Sequence, residues 1–127
     1  NQTLVSVYML ALCETMQMAK KMDIEPQLVV DVCGSGAAGS WALTNLGMKV
    51  ATGDYQPGFA IKHMLKDLRL VQEISQGVGQ DSDPQDFATN LPAIALAIEN
   101  FQKVSQLDDG QGAEQGTQAM IRAYHST

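Results

Sequence analysis

Cysteine is nearly absent: Cys13 and Cys33 are the only two among 127 residues. Two thiols cannot staple a disulfide-built fold, and the cysteines and two histidines show no ligand spacing for zinc or another metal, so a reducing, cytoplasmic setting is the default expectation. Basic residues are also scarce. Eight Lys+Arg face fourteen Asp+Glu, a net charge of -6, which leaves no positive field to hold a phosphate backbone and excludes nucleic acid as an expected partner. No apolar run is long enough to suggest a membrane segment. The longest candidate, Thr3 to Ala19, contains Glu14 and runs into Lys20-Lys21, and it lacks the basic leader and small-residue cleavage site of a signal peptide.

What is present fits one globular unit. Hydrophobic residues make up 45% and charged residues 17%, enough to build a single core and too few residues to hold separate cofactor and substrate domains. The chain opens on Asn1 and enters helical sequence at once, which gives the expectation of a piece of a longer protein.

From Leu4 to Met22 apolar residues fall on nearly every side of a 3.6-residue helix, so this helix needs neighbours on several sides. Pro26, preceded by Glu25, suits the first turn of a second helix through Leu28, Val29, Val32 and Cys33. Ser40 to Asn45 reads as a short helical stretch, cut off by Asn45 and Gly47, and Thr52 to Gly58 as a turn-rich loop. Ile61, Met64, Leu65, Leu68, Val71 and Ile74 then mark an amphipathic helix from Phe59 to Ser75. Gly77 to Asn90 is polar and reads as an exposed loop with a turn near Asp86 to Thr89. Pro92 begins a helix whose buried stripe is Ile94, Ala97, Ile98, Phe101 and Val104, and after the break at Asp108 to Gly112 a last helix is expected from Ala113 to Tyr124, with Thr117, Met120, Ile121 and Tyr124 inward. The sum is an all-α domain of about five helices with no strand pair.

Two glycine patterns compete for attention. Gly34-Ser35-Gly36-Ala37-Ala38-Gly39 follows the β-branched run Val29 to Val32, and Asp54 lies 20 positions beyond Gly34, which is the spacing of a dinucleotide-binding turn. Its setting is wrong: a long helix precedes it and no later segment supplies further parallel strands. The reading preferred here is a helix end followed by a loop.

The second pattern is Gly53-Asp54-Tyr55-Gln56-Pro57-Gly58-Phe59, followed by a helix containing Lys66-Asp67-Leu68. Taken alone, Lys62, Lys66 and Arg69 read as a solvated face, and His63 with Asp67 as an ordinary four-residue helix pair. The whole block, however, resembles the signature of the C-terminal domain of the β-hydroxyacid dehydrogenases, a family that includes 3-hydroxyisobutyrate dehydrogenase, tartronate semialdehyde reductase and glyoxylate reductases and is related to 6-phosphogluconate dehydrogenase. Asn1-Gln2 before the long helix, Leu91-Pro92, and Gly110 to Ala119 resemble further family positions.

The resemblance implies a multi-helix 6-phosphogluconate dehydrogenase C-terminal-like domain over residues 1–127, opened by a long interdomain helix. It would bind substrate and dimerise, while a Rossmann domain outside this chain holds most of the NAD or NADP. Lys66 would lie near the nicotinamide and the substrate carboxylate, since a flexible ammonium suits such an anion. Asp67 would orient Lys66 or brace the loop, Phe59 would wall the nicotinamide pocket, and Ser40 and Trp41 would border the substrate. Asn1 or Gln2 would supply the catalytic amide of a K-x-x-N pattern whose lysine lies upstream, so the piece by itself is expected to be inactive. Plain structural readings stand beside these roles: Phe59 as core, Trp41 as a packing aromatic, Ser40 as a helix cap. Tyr124 and His125 read as structural.

Two departures concern local geometry and substrate identity, namely an apparent insertion at Gln80 to Thr89 and Glu114-Gln115 where the family commonly has an acid shortly after the glycines. The expected partners are the chain's own Rossmann domain, a small hydroxyacid and further copies of the subunit. The rival reading is a non-catalytic helical dimerisation or partner-binding module on a dehydrogenase-derived scaffold.

Overall fold

A computed structural model describes residues 1–79, 81 and 83–125, and the architecture over them is all helical. Helix α1 (Gln2–Lys21) is followed by α2 (Pro26–Gly34), α3 (Trp41–Thr52), α4 (Ile61–Ser75), the single turn α5 (Pro84–Phe87) and α6 (Pro92–Ser105). Two 3-10 segments, Asp108–Glu114 and Thr117–Ile121, lead into a final turn α7 (Arg122–His125). The one strand-like feature among the described residues is an isolated antiparallel bridge between Ala60 and Gly116.

Most of the apolar circumference of α1 is explained by its position, although Leu4, Tyr8 and Met18 stay exposed. About 30 Å long at 1.5 Å per residue, it packs against α2, α3, α4, α6 and the Thr117–Ile121 segment. Ser6, Met9, Leu10, Leu12, Cys13, Met16 and Ala19 are buried by these neighbours. Burial and then the Glu14 charge raise the Cys13 thiol pKa well above its ordinary value, so this cysteine is a small core side chain. The α6 stripe behaves as its periodicity requires: Ile94, Ala97, Ile98, Phe101 and Val104 are all buried. In α4 the first four stripe residues are buried, but Ile74 is 53% exposed; at its end Ser75 turns inward instead, its hydroxyl donating to the Gln72 carbonyl.

Three expectations are corrected. Helix α3 runs to Thr52, well past Asn45 and Gly47. A Cβ on Gly47 would meet Val30 Cγ2 at 3.0 Å and Met16 Cε at 3.4 Å, so this glycine is a notch through which α1 and α2 approach α3 rather than a stop. Asn45 stays in the helix with its side-chain amide donating to the Trp41 carbonyl at 2.9 Å. Helix α4 begins at Ile61 rather than Phe59, because the Ile61 amide donates to the Gln115 carbonyl and Ala60 before it is extended. The expected last helix from Ala113 is replaced by the two 3-10 segments. Asp108, Asp109 and Gly110 have positive φ, and Gln115 and Gly116 are extended, with ψ of 159° at both, so no continuous α-helical ladder forms there.

The G-x-G-x-x-G run is the end of α2 and the turn into α3, as preferred above. The proposed insertion falls partly outside the described residues, at positions 80 and 82; its far end is closed by the Thr89 amide donating to the Ser75 carbonyl at 2.8 Å. No helix among the described residues is long and apolar enough to cross a membrane.

Candidate functional site

The N-terminal ends of α1 and α3 and the loop before α4 converge on one groove of about 740 Å³. This volume is within the range of small-molecule sites. Asn1 and Gln2 stand at one edge, Trp41 and Phe59 line it with Tyr8 and Met64, and Thr117 and Gln118 contribute from the C-terminal segment. Four residues singled out in the sequence therefore meet in one place. Trp41 is 71% exposed there, which makes it a lip of the groove and not a core aromatic. Phe59 is also exposed, tilted at 50° against His63 with ring centroids 6.0 Å apart.

Helix α4 joins this rim by a long-range contact. The Gln2 side-chain amide donates to Asp67 Oδ2 at 2.9 Å, and Asn1 Nδ2 donates to Gln2 Oε1 at 2.8 Å. Asp67 thus engages the start of α1, 65 residues away. Lys66, adjacent to it in sequence, is exposed and has no ion pair among the described residues. It does not line the groove; neither does Asp67. Ser40 lies in a separate hollow of about 380 Å³ between α1 and α2, and its Oγ accepts the Leu43 amide at 3.0 Å, the N-cap bond that fixes the start of α3 and hence the place of Trp41.

The loop Gly53 to Phe59 is held by groups that the motif does not contain. Gly53 ends α3 in a left-handed conformation, φ 74°. The Tyr55 carbonyl accepts from the Gly116 amide at 2.9 Å and the Phe59 carbonyl from the Thr117 amide at 3.1 Å. Gln118, 1% exposed, donates from Nε2 to the carbonyls of Asp54 at 3.0 Å and Gln56 at 2.8 Å. Arg122 reinforces the same corner: Nη1 and Nη2 grip the Asp108 carboxylate at 2.7 and 3.2 Å, Nη1 also donates to Gln115 Oε1 at 2.9 Å, and the guanidinium lies 5.7 Å from the Tyr55 ring centre. The hydrogen bond from Arg122 lowers the Asp108 pKa, and the same bond raises that of Arg122. Lys62 pairs with Glu114 at 2.8 Å, tying α4 to the first 3-10 segment.

Gln118 and Arg122 are not legible as loop-holding groups, because their partners are distant in sequence; the one local signal is Gly116, a poor helix former inside the expected Ala113 to Tyr124 helix. At the far side, the Tyr124 hydroxyl donates to Glu14 Oε1 at 3.2 Å. Burial, followed by the Glu14 charge, raises its pKa, so it acts as a packed donor. His125 is exposed beside a different hollow, near Lys20 and Asp23. The described residues contain no cluster of three or more His, Cys, Asp or Glu able to hold a metal ion.

Residues 1–124 match the family model described as NAD-binding of NADP-dependent 3-hydroxyisobutyrate dehydrogenase. An uncharacterised oxidoreductase of Synechocystis sp. is 46% identical over 124 residues, covering 98% of this chain and 38% of that protein. The crystal structure of a 3-hydroxyisobutyrate dehydrogenase from Salmonella typhimurium superposes with a TM-score of 0.76 at 27% identity, covering 95% of this chain and 38% of that one. The Mycobacterium tuberculosis 3-hydroxyisobutyrate dehydrogenase with L-serine shares the fold, with a TM-score of 0.79 at 22% identity over 99% of this chain and 41% of that one. The chain thus spans about two-fifths of the length of these relatives.

Proposed function

Since this chain belongs to the 3-hydroxyisobutyrate dehydrogenase family, we propose that it forms the helical, C-terminal half of an NAD(P)-dependent dehydrogenase of small β-hydroxyacids, with the groove at the start of α1 as its share of the active-site cleft. The observation that carries this reading is the Gln2–Asp67 hydrogen bond. It joins the Asn1-Gln2 amides to the Lys66-Asp67 pair, two motifs that the sequence holds apart, beside a groove lined by aromatic rings.

The groove residues fit a planar heteroaromatic ring and a small acid. Exposed Trp41 and Phe59 offer flat apolar surface, and the polar groups are few: the Asn1 and Gln2 amides, Thr117 and Gln118. The chemistry that a bound NAD or NADP supplies is hydride exchange with the carbon bearing the hydroxyl or carbonyl. Trp41 and Phe59 would flank the nicotinamide and exclude water from it. Asn1 and Gln2 would orient the hydroxyl through their amides, with Asp67 fixing the Gln2 rotamer as acceptor. Lys66, which does not line the groove but adjoins Asp67 at its rim, would reach the substrate carboxylate with its flexible ammonium, and Ser40 would act on the substrate side through the cap that sets Trp41. A Rossmann domain of the same protein and a second subunit are the partners this arrangement calls for, in the cytoplasm.

The test is Lys66→Ala in the full-length protein, assayed with 3-hydroxyisobutyrate and either nicotinamide nucleotide. Loss of one charge-assisted contact is expected to raise KM for the acid or the nucleotide about tenfold, with the unfolding midpoint unchanged because Lys66 is exposed. Unchanged kinetics would remove Lys66 from the site.

A further inference from the structure

The rim of the groove depends on a side chain whose two donors are both committed to backbone. Gln118 is almost wholly buried, yet it lines the groove, and its single amide nitrogen bridges the carbonyls of Asp54 and Gln56. A primary amide has two N–H groups, so these two bonds use its full donor capacity. The loop so held ends in Gly58-Phe59, both of which line the groove. Its next two backbone anchors, Gly116 N–H to Tyr55 and Thr117 N–H to Phe59, come from the residues just before Gln118. The clasp also has a built-in vacancy: a Cβ on Gly116 would run into Oε1 of Gln118, with Cδ at 2.8 Å. Glycine at 116 therefore makes the space that the Gln118 amide fills.

We infer that Gln118, together with the space left by Gly116, is a positioning residue for the groove: it fixes the Asp54–Gln56 backbone and through it the placement of Phe59. Its bearing on turnover rests on the dehydrogenase reading; its control of the loop does not. Substitution by Glu places an acceptor where two carbonyls require a donor, so the ionised form repels the loop and only the protonated form can donate to one of them. Substitution by Met keeps the length and removes both bonds, leaving two carbonyls without their partner.

Two measurements on the full-length protein test this. In amide hydrogen exchange, Q118M should exchange Gly116 and Thr117 about tenfold faster or more, with α6 amides at wild-type rates. Q118E should do the same at pH 8 and recover in part at pH 5. In kinetics with 3-hydroxyisobutyrate, Q118M should raise KM about tenfold while kcat changes less than about threefold. Gly116→Ala should also loosen the loop, and Gly116→Ala with Gln118→Ala should cost less than the sum of the two single changes, because the second removes the group that the first collides with. Wild-type exchange at Gly116 and Thr117 in both Q118M and Q118E overturns the positioning role. An exchange response accompanied by no turnover of the acid in the wild type upholds the clasp and counts against the dehydrogenase reading alone.

Discussion

The chain contains two glycine-rich turns that look alike in sequence and differ in kind. The turn at Gly34 to Gly39 closes on itself: the Gly36 amide donates to the Cys33 carbonyl at 3.3 Å and the Gly39 amide to the Gly36 carbonyl at 2.9 Å. The turn at Gly53 to Gly58 is held from outside, its carbonyls taken by Gly116 and Gln118 more than sixty residues along the chain. The first has the spacing of a phosphate-binding loop and the setting of a helix end. The second matches no general phosphate pattern, yet it carries Gly58 and Phe59 to a groove. A glycine spacing thus gains functional meaning from what the surrounding backbone is bonded to, and the self-bonded turn has committed the amides of Gly36 and Gly39 locally.

Glycine substitutions sharpen the contrast. The largest effect is expected at Gly39, where an added Cβ would lie 2.5 Å from the Gly34 carbonyl oxygen and 3.0 Å from that of Gly36. Gly39→Ala should cost about 2 kcal/mol in urea unfolding. Gly36→Ala, whose Cβ would come no nearer than 3.9 Å to a neighbouring atom, should fall within about 0.5 kcal/mol; equal costs at both positions would contradict the tight closure of the turn at Gly39. Next is Gly53→Ala, at φ 74°, expected to cost about 1 kcal/mol and to loosen the loop that Gln118 holds.

The smallest effect concerns Asp108, whose pKa is lowered by the Arg122 hydrogen bond. A carboxylate with a folded pKa below its unfolded one adds stability above the unfolded value and loses it as pH falls through the folded one. Asp108→Asn should therefore lower the midpoint slightly at pH 7 and narrow its difference from wild type toward pH 2. High salt should shrink the effect, since this pair is open to solvent. A difference that grows in acid would contradict the pairing.

What could be read in advance follows from the range of the interactions involved. The α6 stripe and the prolines at the starts of α2 and α6 were legible because each signal is contained within one or two turns. The extent of α3 was not, since Gly47 reads as a breaker until Val30 and Met16 are seen packed against it. Of the site, Asn1, Gln2, Trp41 and Phe59 do share a groove, and Asp67 meets Gln2. The positions came from a motif, and their convergence from long-range packing. Gln118 falls inside the Gly110 to Ala119 stretch, but neither that likeness nor the helical periodicity marks its role, and its partners lie 62 and 64 residues away.

Trp41 is the single indole in these 127 residues. Standing outermost on α3 at the mouth of the crevice, it gives the domain an optical probe already installed where it is needed. Its emission will move to shorter wavelength when a ring or a neighbouring domain covers it, and it will stay still for events at the opposite pole of the bundle.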